Sequence, residues 1–109
     1  MDKEQYIKTD KDSARYYSDE AMTILHREDG PAVEVVGGYE EWRINGKLHR
    51  EDGPAITKPN RWSAWYLNGK CHREAGPAIE WRSGVEAWYL NGERMNKADM
   101  PKLSHSSQA

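Results

Sequence analysis

The sequence contains no phenylalanine, a single cysteine and no large excess of charge of either sign, and each of these shortages excludes a class of protein. With 16 basic and 18 acidic residues the formal net charge is -2, so general electrostatic attraction to nucleic acid or anionic lipid is not expected. Cys71 alone can form neither an internal disulfide nor a multi-cysteine metal site, which favours a reducing compartment. No apolar run approaches the roughly 20 residues needed to cross a bilayer, and the first residues lack a signal-peptide core. We therefore expect a cytoplasmic protein with no membrane partner.

Hydrophobic residues are scarce as well, at 37% against 31% charged residues, a balance close to that of disordered chains. The 109 residues nevertheless include 5 Trp and 6 Tyr, far more aromatic surface than a solvated chain usually carries. This aromatic content indicates a folded chain, and the length allows one small domain.

A tandem repeat with a period of 23 residues organises the chain, each copy containing His-Arg-Glu, Gly-Pro-Ala, Trp and Asn-Gly at fixed spacing. The residues in register include His26, His49 and His72, then Trp42, Trp65 and Trp88, then Asn45, Asn68 and Asn91, and Gly46, Gly69 and Gly92. We predict an N-terminal flank over residues 1–24, three repeats over 25–95, and a decayed repeat with a disordered tail over 96–109.

Turn chemistry predicts how each repeat folds. Each Asn-Gly pair follows a run of alternating residues, which is typical of a hairpin closed by a type I′ turn. The Gly-Pro-Ala corner predicts a second turn, with glycine supplying an unusual φ. A variable turn precedes each tryptophan strand. These patterns predict an all-β fold, an antiparallel β-hairpin repeat array in the form of a single-layer or curled meander.

Alternation along the predicted strands assigns the side chains to two faces. The tryptophans are expected on the core face, and the opposite face is expected to be mixed and hydrated. The core face is predicted to include Val33, Val35, Ile56, Ile79 and Trp81. The other face is predicted to carry Arg43, Ala64, Tyr66, Ala87 and Tyr89, with Glu34 and Glu80.

The histidines invite a metal hypothesis, but each repeat adds two strands, which separates equivalent side chains by about 10 Å. No shared ion is therefore expected, and each histidine is predicted to hold its turn by hydrogen bonds. The arginines after them are expected to pair with neighbouring carboxylates. Because Ala75 replaces the aspartate of the other copies, Arg73 is the least neutralised arginine and the best candidate for binding a carboxylate or phosphate.

Neither a cofactor nor an enzymatic activity is expected, because no nucleophile elbow, phosphate loop or paired-cysteine site is present. Cys71 stands where the other copies have leucine, so we expect a small buried side chain. Tyrosine and arginine are favoured at protein interfaces, which makes one face a candidate partner-binding surface. The candidates on this face are Arg43, Tyr66 and Tyr89, and the further candidates for binding a partner are Arg73 and His72. The alternative is that the two tyrosines pack against Ala55 and Ala78.

The unit W-x-x-N-G-K-x-H-R-E-D-G-P-A resembles tandem repeats of tailed-phage and giant-virus proteins and is similar, more distantly, to MORN-type β-hairpin repeats. The resemblance covers Leu25 to Met95 and implies an antiparallel array with a binding role. The units lack the G-x-G ending of the common MORN repeat, so lipid binding is not carried over. A phage-type protein would act in the host cytoplasm.

Our leading hypothesis is a non-enzymatic protein-binding module, a phage-type protein that binds and inhibits a host defence enzyme. One alternative is sequestration of a small ligand, such as a nucleotide held between protomers by Arg73, His72 and Tyr89. Another is a structural or virion component. An exposed sheet edge and an incompletely covered tryptophan face favour a homodimer.

Overall fold

The computed structural model describes residues 5–100, and over this range the chain is all-β and antiparallel, which confirms the predicted fold class. The strands are β1 (Tyr6–Thr9), β2 (Ser13–Tyr17), β3 (Val33–Val35), β4 (Tyr39–Glu41), β5 (Arg43–Ile44), β6 (Lys47–Leu48), β7 (Ile56–Lys58), β8 (Trp62–Ala64), β9 (Tyr66–Leu67), β10 (Lys70–Cys71), β11 (Ile79–Trp81), β12 (Glu86–Leu90) and β13 (Glu93–Met95). A short 3-10 turn, Lys97–Asp99, follows. Within the described range, no helix has the length and apolarity to span a bilayer.

Nine strands form one meandering sheet in the order β1-β2-β3-β4-β7-β8-β11-β12-β13, and two short hairpins, β5/β6 and β9/β10, branch from it. Each hairpin begins directly after a tryptophan that interrupts the strand, Trp42 after β4 and Trp65 after β8. The described chain measures 47 × 35 × 21 Å, so it is thin in one direction. A thin array of this kind offers much surface and little interior for its length.

The Asn-Gly pairs adopt the backbone geometry that the sequence predicts. Asn45 and Gly46 have φ of 52° and 81°, and the other two pairs lie within a few degrees of these values. Positive φ at both central residues is the mark of a type I′ turn, whose twist matches that of the flanking strands. The hairpins are therefore closed by the residue types that tolerate this conformation best.

The corner glycines do not have the unusual φ that we expected, and this prediction is wrong. Gly30, Gly53 and Gly76 lie outside the left-handed region. They are required for space instead, because an arginine guanidinium lies against each α-carbon. A Cβ on Gly53 would lie 2.7 Å from Arg50 Cζ, closer than any real side chain approaches.

The strand register also corrects the predicted faces. Ile56 and Ile79 both lie opposite Ala64, and Ile79 lies opposite Ala87 as well. Directly opposed residues share a face of the sheet. The isoleucines therefore lie on the same face as Ala64 and Ala87, which the alternation predicts on the opposite face. Val33 likewise lies opposite Glu41. The error arose because alternation was carried from one strand to the next across a turn, where a shift of one residue exchanges the faces.

The fully buried core consists mostly of alanines rather than tryptophans. Trp42, Trp65 and Trp88 are only half-buried, and Trp81, predicted in the core, is exposed. The buried hydrophobic residues are Ala32, Val33, Ala55, Ala64, Cys71, Ala78 and Ala87. Small side chains fit here because the chain is sandwiched between close backbone neighbours. One example is the Trp42 amide, which donates to the Ala55 carbonyl at 2.6 Å.

The N-terminal flank contains an incomplete unit that the sequence did not reveal. The amide of Tyr16 donates to the Ala32 carbonyl at 2.8 Å, as the amides of Trp42 and Trp65 donate to Ala55 and Ala78. Tyr16 thus stands where later units have tryptophan. Its turn is longer and is held by Asp19, whose carboxylate accepts from the amides of Thr23 and Ile24. β1 then pairs with β2 at the start of the sheet.

At the other end, Lys97 Nζ lies 5.6 Å from the centroid of the Trp88 ring, in the place that an arginine takes in the preceding units. The decayed copy predicted from residue 96 therefore keeps one cation on the last tryptophan. The disordered tail predicted after it, over residues 104–109, lies outside the described residues.

Because Arg50 lies against Gly53, we predict that Gly53→Ala changes the free energy of unfolding in opposite directions with and without the Arg50 side chain. Gly53→Ala should lower the free energy of unfolding by about 1–2 kcal/mol, because the new methyl displaces the guanidinium from the Trp42 ring. In an Arg50→Ala background the same substitution should raise it by about 0.4–1 kcal/mol, because the backbone there is compatible with alanine. Urea unfolding of the four chains measures both effects, and an equal cost in the two backgrounds would refute the clash.

Candidate functional site

Each His-Arg-Glu corner clamps an arginine between an aromatic ring and a glycine. The guanidinium carbon lies 3.9, 3.8 and 4.0 Å from the ring centroid in the three corners. The pairs are Arg27 on Tyr16, Arg50 on Trp42 and Arg73 on Trp65, with Gly30, Gly53 and Gly76 on the other side. Such stacking is attractive because the ring face is electron-rich, and the cation also covers aromatic surface that the thin sheet leaves bare.

Hydrogen bonds fix the guanidinium within its plane. Nη1 donates to the carbonyl of the corner proline at 3.2–3.3 Å in all three copies. Arg27 Nε donates to the Asp29 carboxylate at 3.3 Å, and Arg50 Nε donates to the Asp52 carboxylate at 3.1 Å. This confirms the expected local pairing of these two arginines. In the third corner Ala75 offers no acceptor.

Each histidine joins its corner to the Asn-Gly turn of the same repeat. The backbone amide of Asn45 donates to Nδ1 of His26 at 2.8 Å, and Asn68 and Asn91 donate in the same way to His49 and His72. An Nδ1 that accepts leaves the proton on Nε2, which faces the glutamate two residues on at 3.3–3.8 Å. The predicted role in holding turns is confirmed, and the turn held is the Asn-Gly turn of the same repeat. Among residues 5–100, no group of three potential metal ligands is present.

The third corner combines an arginine that lacks a carboxylate at Nε with a neighbouring cavity. Arg73 Nε is buried and has no hydrogen-bond partner among the described residues. Beside it lies a cavity of about 300 Å³ between two neighbouring corners, lined by residues that include Arg50, Glu51, His72, Arg73 and Glu74. The structure therefore brings the predicted pair His72 and Arg73 to one cavity.

The predicted partner-binding face with Arg43, Tyr66 and Tyr89, here called the tyrosine face, is partly covered. Arg43 is tied to Glu41 through Nε at 2.7 Å and to the Gly46 carbonyl through Nη1 at 2.8 Å. Burial raises the pKa of Tyr66, and the neighbouring Cys71 and Tyr89 raise it further. All three predicted residues of this face are half-buried, and their carbonyls accept the amides of the corner arginines. The structure brings Tyr66 and Tyr89 together, and their role in binding a partner stays a prediction.

A second surface, at the variable turns, was not found from the sequence. Trp62 lies between Lys58 and Trp81 in the register of β7, β8 and β11. Arg61 and Arg82 adjoin these strands, and the Arg82 amide donates to the Arg61 carbonyl at 2.8 Å. These five residues form what we call the basic-aromatic patch, which lines a cavity of about 610 Å³ open to solvent.

The cations of the basic-aromatic patch are free to bind a ligand. Over the described part of the chain, the side chains of Lys58, Arg61 and Arg82 form no ion pair or hydrogen bond. Glu80 lines an adjoining cavity of about 360 Å³, so one carboxylate lies near the three cations. The patch escaped detection because it occupies positions where the repeats differ, and the search for recurring residues passed over them.

Cys71 is buried, as the sequence predicts, and burial raises the pKa of its thiol to about 11. A protonated, buried thiol is a weak nucleophile and a weak metal ligand. Burial, and then a hydrogen bond that its hydroxyl donates to Glu41, raise the pKa of Tyr39 to about 12. Both groups therefore pack as neutral side chains.

No protein-family model, curated protein or solved structure matches this chain. The geometry of the corners and of the basic-aromatic patch is therefore the basis for the functional argument.

Restoring the missing acceptor should stabilise the third corner. Ala75→Asp should raise the free energy of unfolding by about 0.5–1 kcal/mol, because a carboxylate would accept from the buried Arg73 Nε. The gain should shrink at high salt, since the equivalent aspartates are largely exposed. Asp52→Ala is the matched control and should destabilise the second corner by a similar amount. Urea unfolding checks both, and a neutral or destabilising Ala75→Asp would contradict the proposed geometry.

The raised pKa of Cys71 predicts a loss of stability at alkaline pH. The ordinary pKa of the thiol is 9.0 and the folded value is about 11, so the unfolded chain loses this proton first. Stability should be unaffected by this group below pH 9.0 and should fall as pH rises from there to about 11. Unfolding midpoints across this range measure the effect. Cys71→Leu, which copies Leu25 and Leu48, should make the decline shallower, and an unchanged slope would contradict the assignment.

Proposed function

We propose that this chain is a non-enzymatic protein-binding module that contacts its partner through the basic-aromatic patch. The observation that carries the proposal is the presence of three unpaired cations around two cross-strand tryptophans. Tryptophan and arginine are the residues that most often dominate binding energy at protein interfaces. A folded protein seldom leaves both types together and unpaired on its surface without a ligand for them.

The charges of the patch indicate what kind of surface the partner presents. Lys58, Arg61 and Arg82 favour a surface rich in Asp and Glu, with an apolar centre that can pack against Trp62 and Trp81. The chain as a whole has a net charge of -2, so this attraction is local and depends on the orientation of the two proteins. Short turns hold the backbone of the patch on the sheet, so little backbone entropy is lost when it binds.

The patch replaces the tyrosine face as the main contact surface in our proposal. Arg43 already pairs with Glu41, and Tyr66 is half-buried beside Cys71, which leaves less of either side chain for a partner. The five residues of the patch are half-buried or exposed, and they lie on or directly beside the three neighbouring strands β7, β8 and β11. A partner could therefore cover them in one contact.

The resemblance of the repeat to phage proteins supports a more specific proposal. The partner would be an enzyme of a bacterial host, and the module would inhibit it by covering an acidic surface near its active site. Inhibition by occlusion needs only a rigid contact surface and no catalytic group. The cytoplasm of the host would be the site of action.

The test compares capture by three tagged chains from bacterial lysates, with quantitative mass spectrometry. The patch variant carries Arg61→Glu and Arg82→Glu. The control carries Lys8→Glu and Lys11→Glu, which change the charge equally at exposed positions far along the chain. We expect the natural chain and the control to enrich the same protein, and the patch variant to lose at least about tenfold of that enrichment.

Three results would contradict this proposal in whole or in part. Equal capture by the patch variant and the control would exclude the basic-aromatic patch as the contact surface. Stabilisation of the natural chain by a nucleotide in a thermal-shift screen, lost in the patch variant, would indicate a small-ligand site instead. Purified captured enzyme should lose activity on titration with the module, and unchanged activity would exclude inhibition.

A further inference from the structure

We propose that the third corner binds a carboxylate group of a ligand, whose oxygen takes the place at Arg73 Nε that an aspartate takes in the other two corners. This site is separate from the basic-aromatic patch. It rests on a comparison within the chain, because the arginine is held in the same way in all three corners and only the third lacks the aspartate acceptor at Nε.

The corners match closely in how they hold the arginine, although the first uses Tyr16 in place of a tryptophan and adds an ion pair from Arg27 to Glu34. The arginine lies 3.8–4.0 Å from its ring in each, and Nη1 donates to the proline carbonyl at 3.2–3.3 Å. Nε donates to Asp29 or Asp52 in the first two corners. In the third, Nε is buried without a partner among the described residues. An unsatisfied buried donor is unfavourable, so the corner gains stability when an acceptor arrives.

Arg73 Nε has almost no exposed surface, so a ligand reaches it only when the exposed side chains around it move aside. The side chains of Asp29 and Asp52 are 88% and 87% exposed, yet each contacts Nε of its arginine. An acceptor therefore approaches the guanidinium from the open side of the corner. In the third corner Ala75 and Glu74 are exposed, and the adjoining cavity of about 300 Å³ provides room for the rest of the ligand.

The charged groups that line the cavity are compatible with a bound carboxylate. Glu51 and Glu74 line the cavity together with Arg50, Arg73 and His72, so acidic and basic groups are both present. Glu74 lies 3.5 Å from Nε2 of His72, in the same arrangement as Glu28 beside His26. The first corner holds the Asp29 carboxylate next to that pair, which shows that a second carboxylate is accommodated there.

A carboxylate fits this site better than a phosphate does. The donor left unsatisfied is a single Nε–H, and the aspartates that serve it elsewhere present one oxygen each. A phosphate brings more negative charge against Glu51 and Glu74 than a carboxylate does. The ligand could be a free organic acid or an acidic side chain of a partner protein.

Nuclear magnetic resonance tests the site directly, because Arg Nε–Hε groups held in a folded chain give separate signals at slightly acid pH. The natural chain is titrated with succinate, and the signals of Arg27, Arg50 and Arg73 are followed. We expect a saturable shift of the Arg73 signal alone. Ala75→Asp should abolish that shift, and Asp52→Ala should create a similar one at Arg50.

Inorganic phosphate is the second probe, and we expect it to bind about tenfold more weakly than succinate. The proposal is overturned if Arg73 does not shift, if all three arginines shift alike, or if Ala75→Asp leaves the response intact. Tighter binding of phosphate would overturn the ligand class. Circular dichroism checks that each variant is folded like the natural chain. A lost shift of the arginine signal then reflects the site and not a loss of folding.

The capture experiment separates the two sources of carboxylate. If Ala75→Asp weakens capture of the partner protein, the carboxylate belongs to that protein. If capture is unchanged while the succinate response is lost, the ligand is a free organic acid. The titration does not depend on any partner, so its failure would leave the proposed protein-binding function standing.

Discussion

The contact on which the rest of the array depends is an arginine guanidinium held between an aromatic ring and a glycine. A single sheet only 21 Å thick cannot enclose a tryptophan, and the large rings stay half-buried. The guanidinium covers the ring with a group that can itself face water, because its edges donate hydrogen bonds while its faces stack. The same corner reaches forward, since the histidine beside the arginine accepts from the next Asn-Gly turn. Each corner therefore joins the aromatic ring before it to the Asn-Gly turn after it. Its stacking contact links neighbouring repeats, and contacts between neighbours are what stabilise a repeat array.

Much of this fold could be predicted from the sequence, because turns depend on local residue types. The Asn-Gly pairs require positive φ wherever they occur, and the 23-residue period carries one such turn into every unit. The faces could not be predicted in the same way, since they depend on how strands align across turns. Tyr16 was missed for a related reason. It precedes Arg27 by eleven residues, whereas Trp42 precedes Arg50 by eight, and the different residue and spacing hide the shared geometry.

The residues that recur and the residues that differ have separate roles. In the first two corners His, Arg, Gly and Pro are engaged with the backbone or with neighbouring side chains, and this leaves little of them for a ligand. The basic-aromatic patch belongs to positions that change between copies, where Trp62 takes the place of Tyr39 and Trp81 that of Lys58. An array of identical units would present the same surface to any partner along its length. Specific recognition at one place therefore requires departures from the repeat, and a search for periodicity is least sensitive there.

The third corner shows how such a departure can alter chemistry while preserving shape. Stacking on Trp65 and the hydrogen bond to the Pro77 carbonyl hold Arg73 at distances matching those in the other corners, although the aspartate is absent. The guanidinium position thus does not depend on the carboxylate. Replacing Asp by Ala at position 75 removes one negative charge and one acceptor and leaves the donor in place. Because the ring, glycine and proline already fix the arginine, an incoming carboxylate would meet a preorganised donor and would lose less free energy to ordering than at a mobile surface arginine.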